Sequence, residues 1–167
     1  MLTRVGIGFD AHPLVKGRAL ILGGVEIPHS AGLDGHSDAD ALSHAIADAL
    51  LGAAGMGDLG ALFPSTDPRL KGCSSLELLR QVAGQVAAAG WLIGNVDAVI
   101  IAQEPRLAPH VDGMRAALAE CLGTEAEAVS VKATTTDRLG TIGRGEGIAA
   151  QAVVLLRRAG DASPGHR

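Results

Sequence analysis

Apolar positions recur along the chain with two different spacings, and the spacings predict which segments form strands and which form helices. Short apolar or alternating runs predict strands, whereas apolar residues three and four apart predict amphipathic helices. The predicted strands cover residues 3–9, 92–103, 129–133 and 148–157, and residues 18–27 predict a small hairpin that turns at Gly23-Gly24. The predicted helices cover residues 37–54, 74–90 and 109–122, and the longer loops cover residues 28–35, 57–72 and 134–147.

Polar residues at the helix ends support these boundaries. Ser37 is a favourable N-cap, with Asp40 in the position that completes a capping box, and Ser74-Ser75-Leu76-Glu77 fits that motif more closely. Gly123 follows the third helix in the position where a left-handed residue ends many helices. The sequence therefore predicts three helices with defined starts and stops.

The order of these elements predicts an α/β (α+β) sandwich. We expect one four-stranded mixed sheet with the helices on one face, plus the small β-hairpin. The last strand is apolar at nearly every position of residues 148–156, which indicates that both of its faces are covered. Three helices are few for two faces, so we expect an oligomer in which sheets pack together.

Composition narrows the class of protein. The chain has 167 residues, 47% of them hydrophobic and 19% charged, which predicts one globular domain over residues 1–158. Residues 159–167 contain Gly, Pro, Ser and His and predict a disordered C-terminal tail. The net charge of −4 argues against a nucleic-acid partner. The only aromatic residues are Phe9, Phe63 and Trp91, so platforms for stacking bases are lacking.

No segment predicts a membrane span or a secretory leader. The most apolar predicted helix carries His44 and Asp48, which excludes it as a span. Cys73 and Cys121 share no metal-site or disulfide spacing, which is typical of free thiols in a reducing compartment. We therefore expect a cytoplasmic protein.

The first candidate functional site is a metal site. Asp10 and His12 are two residues apart at the end of a strand, so their side chains point to the same face. His44 is the candidate third ligand, and three ligands leave the open position of catalytic zinc sites. An ordinary strand-end aspartate with two satisfied histidines explains the spacing as well. Asp40, four residues before His44, either orients the imidazole or caps the helix.

Two loops carry groups that suit a phosphate or another polar ligand. Three consecutive threonines, residues 134–136, offer hydroxyls and amides to one point, although an exposed sheet edge has the same composition. Arg144 is either an anion ligand or the ion-pair partner of Glu146. Residues 57–68 either grip a polar ligand or form a structural Ω-loop.

Six sequence motifs, which follow one another in a defined order, are distributed over almost the whole chain. They are GFDAH, HSDADALSHA, GDLGALFPSTDP, NVDAVIIAQEPRLAPH, VKATTTDRLG and GRGEGIAAQAVVLL. Over roughly residues 4–157 this set closely resembles the 2-C-methyl-D-erythritol 2,4-cyclodiphosphate synthase family of the non-mevalonate isoprenoid pathway. The resemblance implies a lyase that converts 4-diphosphocytidyl-2-C-methyl-D-erythritol 2-phosphate to the cyclic diphosphate and CMP. It also implies a homotrimer with active sites between subunits.

The resemblance also implies a set of site residues and cofactors. Asp10, His12 and His44 are expected to bind one zinc per subunit, and Asp137 a second metal, magnesium or manganese. His36 and Thr135 are the expected catalytic residues. The expected substrate-binding residues are Ser37, Asp58, Leu59, Gly60, Phe63, Pro64, Ser65, Thr66, Asp67, Ala102, Gln103, Glu104, Pro105, Arg106, Leu107, Ala108, Thr134, Thr136 and Arg144. Within that set, residues 102–108 are expected to line a cytidine pocket.

Three positions depart from the family pattern, and two other functions stay open. Ser65 stands where Asp is common, Asp137 where Glu is common, and Thr141 where Phe is common. A metal-dependent phosphohydrolase would use the same three ligands with water as nucleophile. A trimeric ligand-binding module would instead use the metal for structure, with a fourth protein ligand closing it.

Overall fold

Five strands form one mixed sheet with the order β4-β1-β7-β5-β6. The computed structural model describes residues 2–160. The strands are β1 (Thr3–Lys16), β2 (Leu20–Leu22), β3 (Val25–Ile27), β4 (Ala31–Leu33), β5 (Trp91–Ile101), β6 (Val129–Thr134) and β7 (Gly147–Arg158). β5 and β6 pair in parallel, and the other neighbours in the sheet are antiparallel. β2 and β3 form the separate hairpin that the sequence predicts.

The predicted count of four strands in the main sheet is one too few. β1 was expected to end at residue 9, but it continues through Pro13 to Lys16. Its last residues, Leu14–Lys16, pair with Ala31–Leu33 inside the segment predicted as a loop. A three-residue edge strand is too short to show a period, which is why the sequence pattern misses it.

Three helices lie where the pattern predicts them, with corrected starts, and two four-residue helices lie in segments predicted as loops. They are α1 (Ala41–Ala54), α2 (Leu59–Leu62), α3 (Ser75–Ala88), α4 (Val111–Leu122) and α5 (Gly140–Gly143). Asp40, not Ser37, is the N-cap of α1, because its carboxylate accepts the Ser43 backbone N–H at 3.0 Å. Ser74 is the N-cap of α3 but makes no side-chain cap bond, so the predicted capping box does not form.

The helix α3 contacts both α1 and α4, and the three helices cover one face of the sheet. Buried apolar residues from this helical layer, the hairpin and the even-numbered positions of β5 and β7 make one core. The other face carries exposed apolar side chains on β1, where Val5 is 67%, Ile7 63% and Phe9 61% exposed. In the single chain, therefore, one face of the sheet is packed and the opposite face is open.

The described residues contain no helix that is both long and apolar enough to cross a membrane. At the chain end, β7 stops at Arg158, and the Ala159 N–H donates to the Gly90 carbonyl at 2.9 Å. The remainder of the predicted disordered tail, residues 161–167, lies outside the described residues.

Candidate metal centre and ligand clefts

Asp10 and His12 lie on the same face of β1, as their spacing predicts, and that face is the one that packs against α1. The Asp10 Oδ2 atom is 2.8 Å from His12 Nε2. Both side chains are mostly buried, with 24% of the Asp10 and 19% of the His12 side chain exposed. The strand therefore presents a carboxylate oxygen and an imidazole nitrogen to one point in space.

His44 completes the group from the first turn of α1. Its Nδ1 atom lies 2.9 Å from Asp10 Oδ2 and 3.4 Å from His12 Nε2. Zinc bonds of about 2.0–2.1 Å in tetrahedral geometry place two ligand atoms roughly 3.4 Å apart. The two imidazoles already have this separation, and the carboxylate needs only a small outward shift. Within residues 2–160 this is the one cluster of His, Cys, Asp or Glu with metal-site geometry.

The far nitrogen of each imidazole contacts an oxygen, as metal-binding histidines require. His12 Nδ1 donates to the Asp34 carbonyl at 2.8 Å. His44 Nε2 lies 2.8 Å from Ser75 Oγ and 3.3 Å from Ser37 Oγ. The other two nitrogens, His12 Nε2 and His44 Nδ1, therefore face the same point, and the donor set fits a zinc ion.

Asp40 does not orient His44. Its carboxylate instead accepts the Ser43 hydroxyl at 2.7 Å and the backbone N–H groups of Gly23 and Gly24 at 2.9 and 2.8 Å. The capping alternative is correct, because these donors join the hairpin turn to the start of α1.

The ionisable groups of the metal-free cluster shift one another's pKa. Burial raises the pKa of Asp10, but hydrogen bonds from His12 and His44 outweigh it and hold that pKa well below its usual range. The hydrogen bond to Asp10 raises the pKa of His12 above its usual 6.5, against the opposing effect of burial. A proton on His12 thus occupies part of the space that a cation would take.

A cleft of 170 Å³ opens beside the metal centre. It is lined by His12, His36, Ser37, His44, Leu59, Gly60, Phe63, Ser65, Leu70 and Leu78. Six predicted substrate or catalytic residues are therefore brought to the two histidines. Pro64 and Thr66 lie on the same loop but do not line this cleft.

Two carboxylates of this loop have structural contacts of their own. Asp58 caps α2 by accepting the Ala61 N–H at 2.8 Å. Asp67 accepts the Arg69 guanidinium at 2.7 Å, and this pair lowers the pKa of Asp67 to about 2. The Asp67 carbonyl lies 2.8 Å from His36 Nε2, so the loop also holds the His36 ring at the cleft.

A second cleft, of 390 Å³, lies at the ends of β5 and β6. It is lined by Ala102, Gln103, Glu104, Pro105, Arg106, Leu107, Ala108, Ala133, Thr134 and Thr135. The whole predicted cytidine segment and two of the three threonines therefore share one cavity. It has no lining residue in common with the cleft beside the metal centre.

Thr136 and Asp137 face their own loop in this structure. The Thr136 hydroxyl donates to the Leu139 carbonyl at 2.7 Å. The Thr135 hydroxyl donates to Asp137 Oδ1 at 3.3 Å, which places the Asp137 carboxylate beside the residue predicted to be catalytic.

Arg144 forms the ion pair that the sequence left as an alternative. Its Nε atom lies 2.6 Å from Glu146 Oε1. It lines a third cleft, of 540 Å³, together with Lys16 and Arg138, and neither of the other two clefts includes it.

Four contacts at the site were not predicted from the sequence. They come from the Asp34 carbonyl, from Ser75 and Asp38, and from Asp48, whose carboxylate accepts the Leu59 N–H at 2.7 Å. Asp38 and Ser75 stand in helix-start motifs, where capping explains a short polar residue equally well. No local pattern separates the two uses.

Comparison with known proteins agrees with this geometry. The model of the YgbB family matches residues 3–157. A 2-C-methyl-D-erythritol 2,4-cyclodiphosphate synthase of Ralstonia pickettii (strain 12J) is 62% identical over 159 residues, which cover 95% of each chain. Another from Moorella thermoacetica is 61% identical over 153 residues, or 92% of this chain and 94% of that one.

Solved structures show the same fold. A CDP-bound 2C-methyl-D-erythritol-2,4-cyclodiphosphate synthase has a TM-score of 0.85 and 38% identity, covering 92% of this chain and all of that one. A CDP complex of IspF from Plasmodium falciparum has a TM-score of 0.82 and 32% identity, covering 94% and 97%. The metal-ligand geometry and the clefts described above agree with these matches. The chain belongs to the YgbB family, which the sequence motifs predict under the name of its synthases.

Proposed function

We propose that this protein is a 2-C-methyl-D-erythritol 2,4-cyclodiphosphate synthase of non-mevalonate isoprenoid biosynthesis. The observation that carries the proposal is the convergence of Asp10, His12 and His44 beside a cleft that Leu59, Gly60, Phe63, Ser65 and Leu70 help to line. In the reaction, the 2-phosphate oxygen of the substrate forms a bond to the β-phosphorus. The bond from that phosphorus to the bridging oxygen breaks, and CMP leaves with the electron pair.

Because nucleophile and electrophile are parts of one molecule, the protein's task is to fold the substrate and neutralise charge. We assign zinc to Asp10, His12 and His44. Bound there, zinc supplies a Lewis acid for a phosphate oxygen. His36 donates from Nε2 to the Asp67 carbonyl, so the ring would be fixed in orientation beside the reacting phosphate.

The methylerythritol phosphate part is assigned to the first cleft. Ser37, Leu59, Gly60, Phe63 and Ser65 supply its lining. We assign Asp58, Pro64, Thr66 and Asp67, on the same loop, to the same part of the substrate, and Asp58 and Asp67 also hold the loop and the His36 ring in place.

The cytidine and the diphosphate are assigned to the second cleft. Residues 102–108 hold the base mainly through backbone groups, and Thr134–Thr136 hold the phosphates, with Thr135 polarising the one that reacts. Asp137 supplies one carboxylate for magnesium or manganese, ions that keep waters and substrate phosphates as their remaining ligands. Arg144 contributes to anion binding only if its pair with Glu146 opens.

We infer a homotrimer whose active sites lie between subunits. Two observations support this inference: the exposed apolar face of β1, and the absence of shared residues between the two clefts. One substrate reaches both kinds of cleft if the second cleft is contributed by a neighbouring copy. The free thiols of Cys73 and Cys121 suit the reducing cytoplasm, where we place the enzyme.

The test is incubation of the zinc-loaded protein with the diphosphocytidyl substrate and magnesium, followed by phosphorus NMR. A cyclic diphosphate formed in equal amount with CMP supports the proposal. A linear product with released phosphate contradicts it and indicates a phosphohydrolase. Binding of substrate with no product in any metal combination also contradicts it.

A further inference from the structure

Two side chains outside the metal ligands form a chain of hydrogen bonds that ends on His44. Ser75, the first residue of α3, is buried, and its Oγ atom lies 2.8 Å from His44 Nε2. The same hydroxyl bonds to Asp38 Oδ1. The other Asp38 oxygen accepts the backbone N–H of Ser75 at 3.1 Å.

The chemistry of these groups gives the chain a direction. A carboxylate only accepts hydrogen bonds, so the Ser75 hydroxyl proton points to Asp38. The lone pairs of that hydroxyl then face His44, and His44 must donate from Nε2. Its Nδ1 atom faces Asp10 and His12, 2.9 Å from Asp10 Oδ2, and is therefore the atom that a metal ion would bind.

The two imidazoles are held by different means. The His12 proton is held on Nδ1 by a backbone carbonyl, that of Asp34, which no side-chain substitution removes. The His44 proton depends on Ser75 and Asp38, with Ser37 Oγ as a more distant acceptor at 3.3 Å. Only one of the two metal-binding histidines therefore depends on replaceable side chains for its tautomer.

We propose that Asp38 and Ser75 are positioning residues that hold His44 in the Nε2–H tautomer and aim its Nδ1 atom at the metal. The proposal rests on the proposed function, because it concerns the same zinc site. Outer contacts of this kind change metal affinity by about 10–100-fold. The pair also joins the start of α3 to the segment before α1, so the two helices and the metal ligand are set together.

The variant that tests the proposal most directly is Asp38→Asn. The Ser75 N–H needs an acceptor, so the new amide oxygen faces it and the new NH₂ group faces Ser75 Oγ. The Ser75 hydroxyl then turns its proton to His44, which must accept at Nε2 and carry its own proton on Nδ1. We expect zinc affinity to fall about 10–100-fold, measured by competition with a chromophoric chelator.

The tautomer gives a readout that does not depend on activity. In metal-free protein with ¹⁵N-labelled histidine, NMR should show a proton on Nε2 of His44 in the wild type and no proton on Nε2 in Asp38→Asn. Ser75→Ala is the second variant, which removes the hydroxyl and leaves only the Ser37 contact. We expect it to lower zinc affinity about tenfold.

Ser74→Ala is the matched control. Ser74 is exposed at the same helix start and makes no side-chain cap bond, so zinc affinity should stay unchanged. Circular dichroism and thermal melting check that each variant is folded. If Asp38→Asn does not fold, the zinc affinity of Ser75→Ala tests the proposal. Wild-type zinc affinity together with the Nε2–H tautomer in a folded Asp38→Asn variant, or unchanged affinity in Ser75→Ala, would overturn the proposal. Failure of the wild type to form the cyclic product would remove the proposed function and leave these zinc and tautomer results interpretable.

Discussion

Gly8 on β1 packs against Ala45 on α1 so closely that a Cβ atom at Gly8 would overlap the Ala45 carbonyl oxygen. Gly6 approaches Ala49 one helical turn further along in the same way. Ala45 directly follows His44, so this backbone contact sets how near α1 lies to the strand that carries Asp10 and His12. The metal centre therefore depends on two residues that have no side chain.

We predict that Gly8→Ala separates β1 from α1 and weakens zinc binding. Overpacking of this kind destabilises a protein by about 1–3 kcal/mol, because backbone rather than a flexible side chain must move. Thermal melting and chelator competition measure the two effects. Gly84→Ala on α3 is the control: its added Cβ meets no atom within 4 Å, so stability should be equal or higher and zinc affinity unchanged. Unaltered zinc binding in a stable Gly8→Ala variant would show that the spacing is not limiting.

Removal of one imidazole should abolish zinc binding and most of the activity. For His12→Ala and His44→Ala we expect kcat to fall about 10²–10³-fold, the usual loss for one charge-stabilising contact. Metal content by atomic emission and steady-state kinetics measure the result. His29→Ala, a histidine outside the cluster, should retain zinc. Near-normal turnover of either ligand variant without zinc would contradict the metal assignment.

Zinc uptake should depend on pH through His12. The pKa of His12 is raised in the folded metal-free protein, so the fold binds this proton more tightly than the unfolded chain does. Its contribution to stability is complete below pH 6.5 and is lost as pH rises through the raised pKa. Zinc must displace the proton, so zinc affinity should increase over the same interval. Calorimetry in buffers of different ionisation enthalpy counts the released protons, and an affinity independent of pH between 6 and 8 would contradict the prediction.

Asp48 should hold the substrate loop to α1. Its carboxylate accepts the Leu59 N–H at 2.7 Å, and Leu59 lines the cleft beside the metal centre. We predict that Asp48→Ala raises KM roughly fivefold, since one such hydrogen bond is worth about 1 kcal/mol, and leaves zinc affinity unchanged. Asp112→Ala, an exposed carboxylate on α4, is the charge-matched control. A fall in kcat with constant KM would indicate a different role.

The exposed face of β1 should be the contact between copies. Ile7→Lys places a charge in this apolar face, and we expect the trimer to dissociate to monomers, as measured by light scattering after gel filtration. Activity should fall with it, because the proposed site includes residues of a neighbouring copy. Met56→Lys, at another exposed apolar position, should remain trimeric. A wild-type protein that is active as a monomer would contradict the inference.

Most elements of the fold could be predicted from the sequence, because the spacing of apolar residues depends only on the geometry of a strand or a helix. The hairpin turn at Gly23-Gly24 and the end of α4 before Gly123 were predicted correctly. The start of α1 was not, because Asp40 caps the helix while its carboxylate also binds the distant hairpin turn. Several residues near a helix start can cap it, and contacts from elsewhere in the chain decide among them.

That Asp10 and His12 share a face of a strand follows from their spacing alone, since residues two apart in a strand always do. The sequence motifs also identified the family and the segments that form the clefts. That His44 reaches those two residues depends on the packed fold, because the distance is set by how closely Gly8 lets α1 approach β1. The packed fold alone also brought Ser75 and Asp38 to the far side of the His44 ring. Contacts between segments far apart in the chain leave no local period, so they exist only once the core has packed.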